Sequence, residues 1–106
     1  MASRKLGLML STAPSHPSVE TVVQLAQAAL RRGVEVYLYL IDEGVKVATD
    51  PRYLGLLDAG VRMSVCAYGC QQHGVSTASV DSRVSLSGLV VLSGIIDGCD
   101  RFLAFT

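Results

Sequence analysis

The chain has 106 residues, half of them hydrophobic and 17% charged, with nine basic residues balanced by nine acidic ones. A chain of this length makes one domain, residues 1–106, that buries roughly two-thirds of its unfolded surface. The balanced charge, spread without a basic stripe, excludes direct nucleic-acid binding, and the absence of Trp with only two Phe leaves little surface for stacking single strands.

The first ten residues begin like a signal peptide. Their apolar stretch is too short, and it runs into Ser-Thr-Ala-Pro at 11–14 instead of a cleavage site of small residues. The cytoplasm is the expected location. Residues 6–10 form a short continuous apolar run, as expected of a strand buried on both faces of a parallel sheet. A loop follows through His16. Pro17 suits a first helical turn, with Ser15 or Ser18 as cap candidates. Val19, Val22, Val23, Ala26, Ala29 and Leu30 then recur at helical spacing, with Glu20, Gln24, Gln27 and Arg31 on the other face. Arg31 and Arg32 suit the carboxyl end of that helix, and Gly33 its stop.

Residues 35–41 are rich in β-branched and aromatic side chains and predict a second strand, closed by Asp42-Glu43-Gly44. A helical turn is expected over 45–48, then a short helix from Pro51 through Leu57, ending near Gly60. Residues 61–65 predict a third strand. Cys66 follows, opening a short helical stretch that stops at Gly74. The Ser- and Thr-rich stretch 75–84 reads as a loop. Residues 86–96 are apolar on nearly all sides, which predicts a helix buried between the sheet and something else. That stretch is too short and too interrupted by Ser and Gly to cross a membrane. Residues 101–105 predict a final strand. Alternating strands and helices imply a parallel sheet with helices on both faces. Chemistry in such sheets gathers at the carboxyl ends of the strands, which sets Ser11, Asp42 and Cys66 along one edge.

The cysteines carry the chemical signal. They are three, an odd number without an export signal, and so read as free thiols. Cys66 stands where a strand ends and a helix begins, facing outward-pointing N–H groups. That setting favours the thiolate, the form that reacts. A small buried hydrophobe fits the same position. Cys70 and His73 follow at helical spacing on the same face. With no fourth ligand and no closely paired cysteines, the trio is set aside as a metal site. Cys70 reads as packing, although an irregular turn would let it act as a resolving thiol. His73, beside a helix-ending glycine, reads as a cap on the last carbonyls, with a proton-shuttle role open. Cys99 falls in the turn before the last strand, away from the chemical edge, and reads as a buried structural thiol. The Gly69 to Gly74 spacing imitates a phosphate-binding loop, but it lacks the lysine and follows a helix start instead of preceding one.

Taken in order, these pieces resemble the DsrE/TusD family of sulfur-relay proteins over nearly the whole chain. The opening strand with its 11–14 loop, the Arg-Arg-Gly at 31–33 and the Glu43-Gly44-Val45 stretch each resemble family segments. So do Val65-Cys66-Ala67 with Gly74-Val75 beyond it, Leu86-Ser87-Gly88-Leu89, and Cys99-Asp100-Arg101. Gln72-His73 stands where the family carries two arginines, and Cys70 is extra. The resemblance implies a three-layer α/β/α domain around a mainly parallel sheet of about four to five strands. It implies that Cys66 carries sulfane sulfur as a persulfide between donor and acceptor proteins, a sulfurtransferase-like activity. Ser11, Asp42, Cys70 and His73 are auxiliary candidates. No metal or organic cofactor is called for, and no membrane partner. Relatives of this kind form trimers or hexamers, which agrees with the high apolar content. The alternative from the residues is a non-catalytic oligomeric subunit or small-ligand binding module with Cys66 buried.

Overall fold

Leu8, Leu10, Val36, Leu38, Leu40, Met63 and Val65 are all buried, and their alternation along three strands builds one aliphatic face of a sheet. A computed structural model describes residues 3–106. Met1 and Ala2, which open the stretch that begins like a signal peptide, lie outside the described residues. The strands are β1 (Lys5–Leu10), β2 (Glu35–Leu40), β3 (Arg62–Cys66), β4 (Ser85–Ser87) and β5 (Arg101–Phe105). They pair in the order β4-β3-β2-β1-β5, and every pairing is parallel. Helices lie around this sheet: α1 (Ser18–Arg31), α2 (Pro51–Asp58), α3 (Ala67–Gln72) and α4 (Leu89–Gly98). The three-layer α/β/α architecture expected from the sequence is the one observed.

Helix α1 turns Val19, Val22, Val23 and Ala26 into the core. Tyr53 on α2 is fully buried, and its hydroxyl donates to the Val19 carbonyl at 2.7 Å, locking the two helices together. Asp50 caps α2 by accepting from the Arg52 N–H at 2.8 Å. The Arg52 guanidinium holds the Asp50 carboxyl below the usual aspartate range. The helical turn expected over 45–48 is a longer 3-10 helix, Asp42–Thr49, that reaches back to the end of β2.

Three local expectations change. Neither Ser15 nor Ser18 caps α1 with its side chain; the His16 ring accepts from the Ser18 N–H at 3.0 Å. The apolar stretch 86–96 is not one helix. Its start belongs to the edge strand β4, where Ser85-Leu86-Ser87 alternates with the period of a strand, and the helix begins only at Leu89. Nor is α4 buried on all sides: only Ile95 is buried, while Leu89, Val90, Val91 and Ile96 are exposed, Val90 by 86%. Among the described residues no helix is long and apolar enough to cross a membrane.

The 3-10 helix sits tightly on the end of β1. A methyl group on Gly44 would land on the Leu10 carbonyl. A backbone carbonyl cannot swing aside as a side-chain tip can, so Gly44→Ala is expected to cost at least ~2 kcal/mol. Its urea unfolding midpoint should fall accordingly. An unchanged midpoint would show that the 3-10 helix is free to lift.

Candidate functional site

Three strand ends and two helix starts meet at the carboxyl edge. Cys66 is the last residue of β3, paired with Ser87 at the end of β4, and it is also the N-cap of α3. Its sulfur accepts from the Gly69 N–H at 3.4 Å, so the thiol takes the capping place that a serine or aspartate usually fills. Gly69 makes this possible. A side chain there would meet Val45 of the 3-10 helix at 2.9 Å, and glycine lets α3 settle against that helix.

A cavity of about 730 Å³ opens over the thiol, a size that suits a small ligand or a substrate side chain. Ile41, Asp42, Tyr68, Leu86, Ser87 and Leu89 form much of its wall, with Cys66 at its base. Cys66 itself is only 6% exposed. A second cavity, of about 570 Å³, contains Lys5, Tyr37, Arg62 and Cys99. Lys5 and Cys99 flank the starts of β1 and β5, so this cavity belongs to the opposite end of the strands from Cys66. Cys99 is half-buried, less enclosed than expected, and burial pushes its thiol up.

Among the auxiliary candidates, Asp42 lines the Cys66 cavity, and the others divide. The His73 side chain does not cap the carbonyls of α3. It donates instead from Nε2 to Asp42 Oδ1 at 2.8 Å, tying the end of α3 to the start of the 3-10 helix. Gly74, at φ +68, gives the chain its exit from α3 without the ring's help. Cys70 is fully buried, and desolvation raises its thiol, with the neighbouring Cys66 adding to the effect. Ser11 lies on the same edge but beside β5, where its N–H donates to the Phe105 carbonyl at 3.0 Å, and it does not line the cavity. Among the described residues no three His, Cys, Asp or Glu side chains converge as a metal site.

Tyr39 is the residue that the sequence reading missed. It is fully buried on β2, and its hydroxyl donates to the Ser87 carbonyl at 3.4 Å. Burial pushes the phenol up to about 12, and Cys66 beside it adds to that shift. In the sequence it is one of several aromatic and aliphatic residues in a β-prone run. Only the parallel register puts it next to a cysteine 27 positions on. The start of α4 was equally hidden; the Ser-Leu-Ser alternation at 85–87 was the available signal.

The DsrE/DsrF-like family model matches residues 4–105 of the chain. The fold is that of the YchN protein from E. coli, with a TM-score of 0.81 at 17% identity, covering 98% of this chain and all of that one (100%). A conserved protein of unknown function from Bacteroides thetaiotaomicron aligns with a TM-score of 0.77 at 16% identity, covering 95% of this chain and 94% of its own. A protein of unknown function from Methanobacterium thermoautotrophicum does so at 0.72 and 17%, covering 97% and 99%. No curated protein sequence matches the chain.

Asp42 holds a left-handed backbone, φ 52, which Asp and Asn tolerate and β-branched residues do not. Asp42→Val is therefore expected to lose about 2 kcal/mol in urea unfolding, through backbone strain and the lost His73 contact. Asp42→Asn, which tolerates the turn and keeps an acceptor, should stay within about 0.5 kcal/mol of the parent. Equal losses for the two would mean that the turn geometry is not what this position demands.

Proposed function

The chain belongs to the DsrE/DsrF-like family, and on that premise we propose that it is a sulfur-relay protein of the cytoplasm carrying sulfane sulfur on Cys66. The observation that carries the reading is the placement of Cys66: a strand-end thiol under a cavity, accepting a backbone N–H, with Cys70 buried beneath and Cys99 at the other end of the sheet. The Cys66 thiolate attacks the outer sulfur of a donor protein's persulfide. A new S–S bond forms on Cys66, the donor's own S–S bond breaks, and the donor leaves as a thiolate. An acceptor thiolate then attacks the terminal sulfur, and Cys66 leaves as a thiolate in turn. One sulfur atom moves at each step, so no oxidant, reductant or metal takes part. The transfer makes the protein a sulfurtransferase in the broad sense.

Each auxiliary candidate has a place in this reading. The Asp42–His73 pair keeps the mouth of the cavity in shape, and Cys70 packs below it. Ser11, two strands away from Cys66, supports the β1–β5 edge. A homo-oligomer, trimer or hexamer, is proposed with it, since the exposed apolar side chains of α4 are more than an isolated small domain usually leaves in water. Sedimentation at the mass of a trimer or hexamer would support that part of the reading, and a monomer at micromolar concentration would counter it.

A second reading draws on the 6% exposure of Cys66 and the largely apolar rim above it: a subunit that binds a small ligand and transfers nothing. One experiment separates the two. After incubation with a low-molecular-weight persulfide donor, the intact mass of the parent should rise by one sulfur atom, and the gain should vanish in Cys66→Ser. Equal loading of the Cys66→Ser variant, or no loading of the parent, would overturn the relay.

A further inference from the structure

Tyr39 shares a rung of the sheet with Met9, Ser64 and Ser85. Cys66 and Ser87 form a rung of their own two residues further along β3 and β4. Side chains two apart on a strand point to the same face, so Tyr39, Ser64, Cys66, Ser85 and Ser87 all project from one side of the sheet. From β2, the Tyr39 hydroxyl reaches the Ser87 carbonyl on β4. That line crosses β3 at its carboxyl end, where Cys66 stands paired with Ser87, so the hydroxyl and the sulfur share one end of the sheet face.

The bond to Ser87 is long, 3.4 Å against an ordinary O–H···O range of about 2.5–3.0 Å. A fully buried hydroxyl with so weak a partner is poorly compensated for leaving water. The Cys66 sulfur, on the rung it shares with Ser87, is the alternative acceptor. A thiolate accepts a hydrogen bond much more strongly than a thiol does, because charge-assisted bonds are roughly twice as strong as neutral ones. The other titratable groups near the thiol do not compete for this role. His73 is turned to Asp42, Cys70 is on the buried side of α3, and Tyr68 is exposed at the rim. The Gly69 N–H already donates to the sulfur.

We infer that Tyr39 is a second catalytic residue, whose hydroxyl turns from the Ser87 carbonyl to the Cys66 sulfur when the thiolate forms and stabilises it both as attacking group and as leaving group. The inference rests on the reading of Cys66 as the reacting thiol. Burial keeps the phenol protonated up to about pH 12, so it remains a donor across the working range.

The test is the rate of Cys66 alkylation by iodoacetamide against pH, followed on the fragment that carries it, in the parent and in Tyr39→Phe. The variant keeps the ring and loses the hydroxyl. It should react about tenfold more slowly at pH 7, with the gap closing towards pH 10. An unchanged rate, or a change of equal size at every pH, would overturn the role and leave Tyr39 as packing. A measurement on the unchanged side chain covers the case in which Tyr39→Phe does not fold. With tyrosine carbon-13 labelled at the hydroxyl-bearing ring carbon, the Tyr39 resonance should move as Cys66 ionises and stay still in Cys66→Ser. A resonance that ignores Cys66 would overturn the inference. Neither readout involves sulfur transfer, so a protein that fails to load sulfur would still answer for Tyr39.

Discussion

The parallel pairing of β3 between β2 and β4 is the constraint on which the carboxyl edge depends. It brings a tyrosine from one neighbour and a serine carbonyl from the other to the same cysteine. A slip of one residue in β3 would turn Cys66 to the opposite face, among the aliphatic side chains of the core. It would also unseat α3, whose first turn is capped by that same thiol. The strand register and the helix start therefore hold the sulfur from two directions.

The two faces of the sheet differ in kind. One is aliphatic and buried against α1 and α2, and it supplies the stability. The other carries Tyr37, Tyr39, Arg62, Ser64, Ser85 and Ser87, and α4 packs mainly over β1 and β5 at its far side. Hydroxyls inside a parallel sheet are costly unless they bond to one another. The Ser85–Ser87 contact at 2.9 Å is one such bond. The cavity above differs from this floor: its rim of Tyr68, Leu86 and Leu89 is apolar and exposed.

Much of this was legible in the sequence. The apolar run of β1, the 3.6-residue spacing of α1 and the β-branched run of β2 each state their own structure, and Gly33, Gly60 and Gly74 mark turns that all have positive φ. Cys66 was legible as a junction because strand and helix signals meet at it. What could not be read were contacts that depend on register and approach. His73 faces Asp42 only because the 3-10 helix packs against α3, and that approach depends on Gly69 having no side chain. Tyr39 and Ser87 join Cys66 only through the strand order. The start of α4 is not legible because Leu86 is as apolar as the helix that follows, and hydrophobicity alone does not separate a short edge strand from a helical turn.

The central claim is that, of three thiols in one small domain, Cys66 is the one that carries the transferred sulfur. Its most direct test is to locate the sulfane sulfur in the unchanged chain. The loaded protein is alkylated while folded, digested, and fragmented finely enough to separate Cys66 from Cys70. The extra sulfur is expected on Cys66, with Cys70 and Cys99 bearing none. Sulfur found chiefly on Cys70 or Cys99, or spread evenly over the three, would contradict the account.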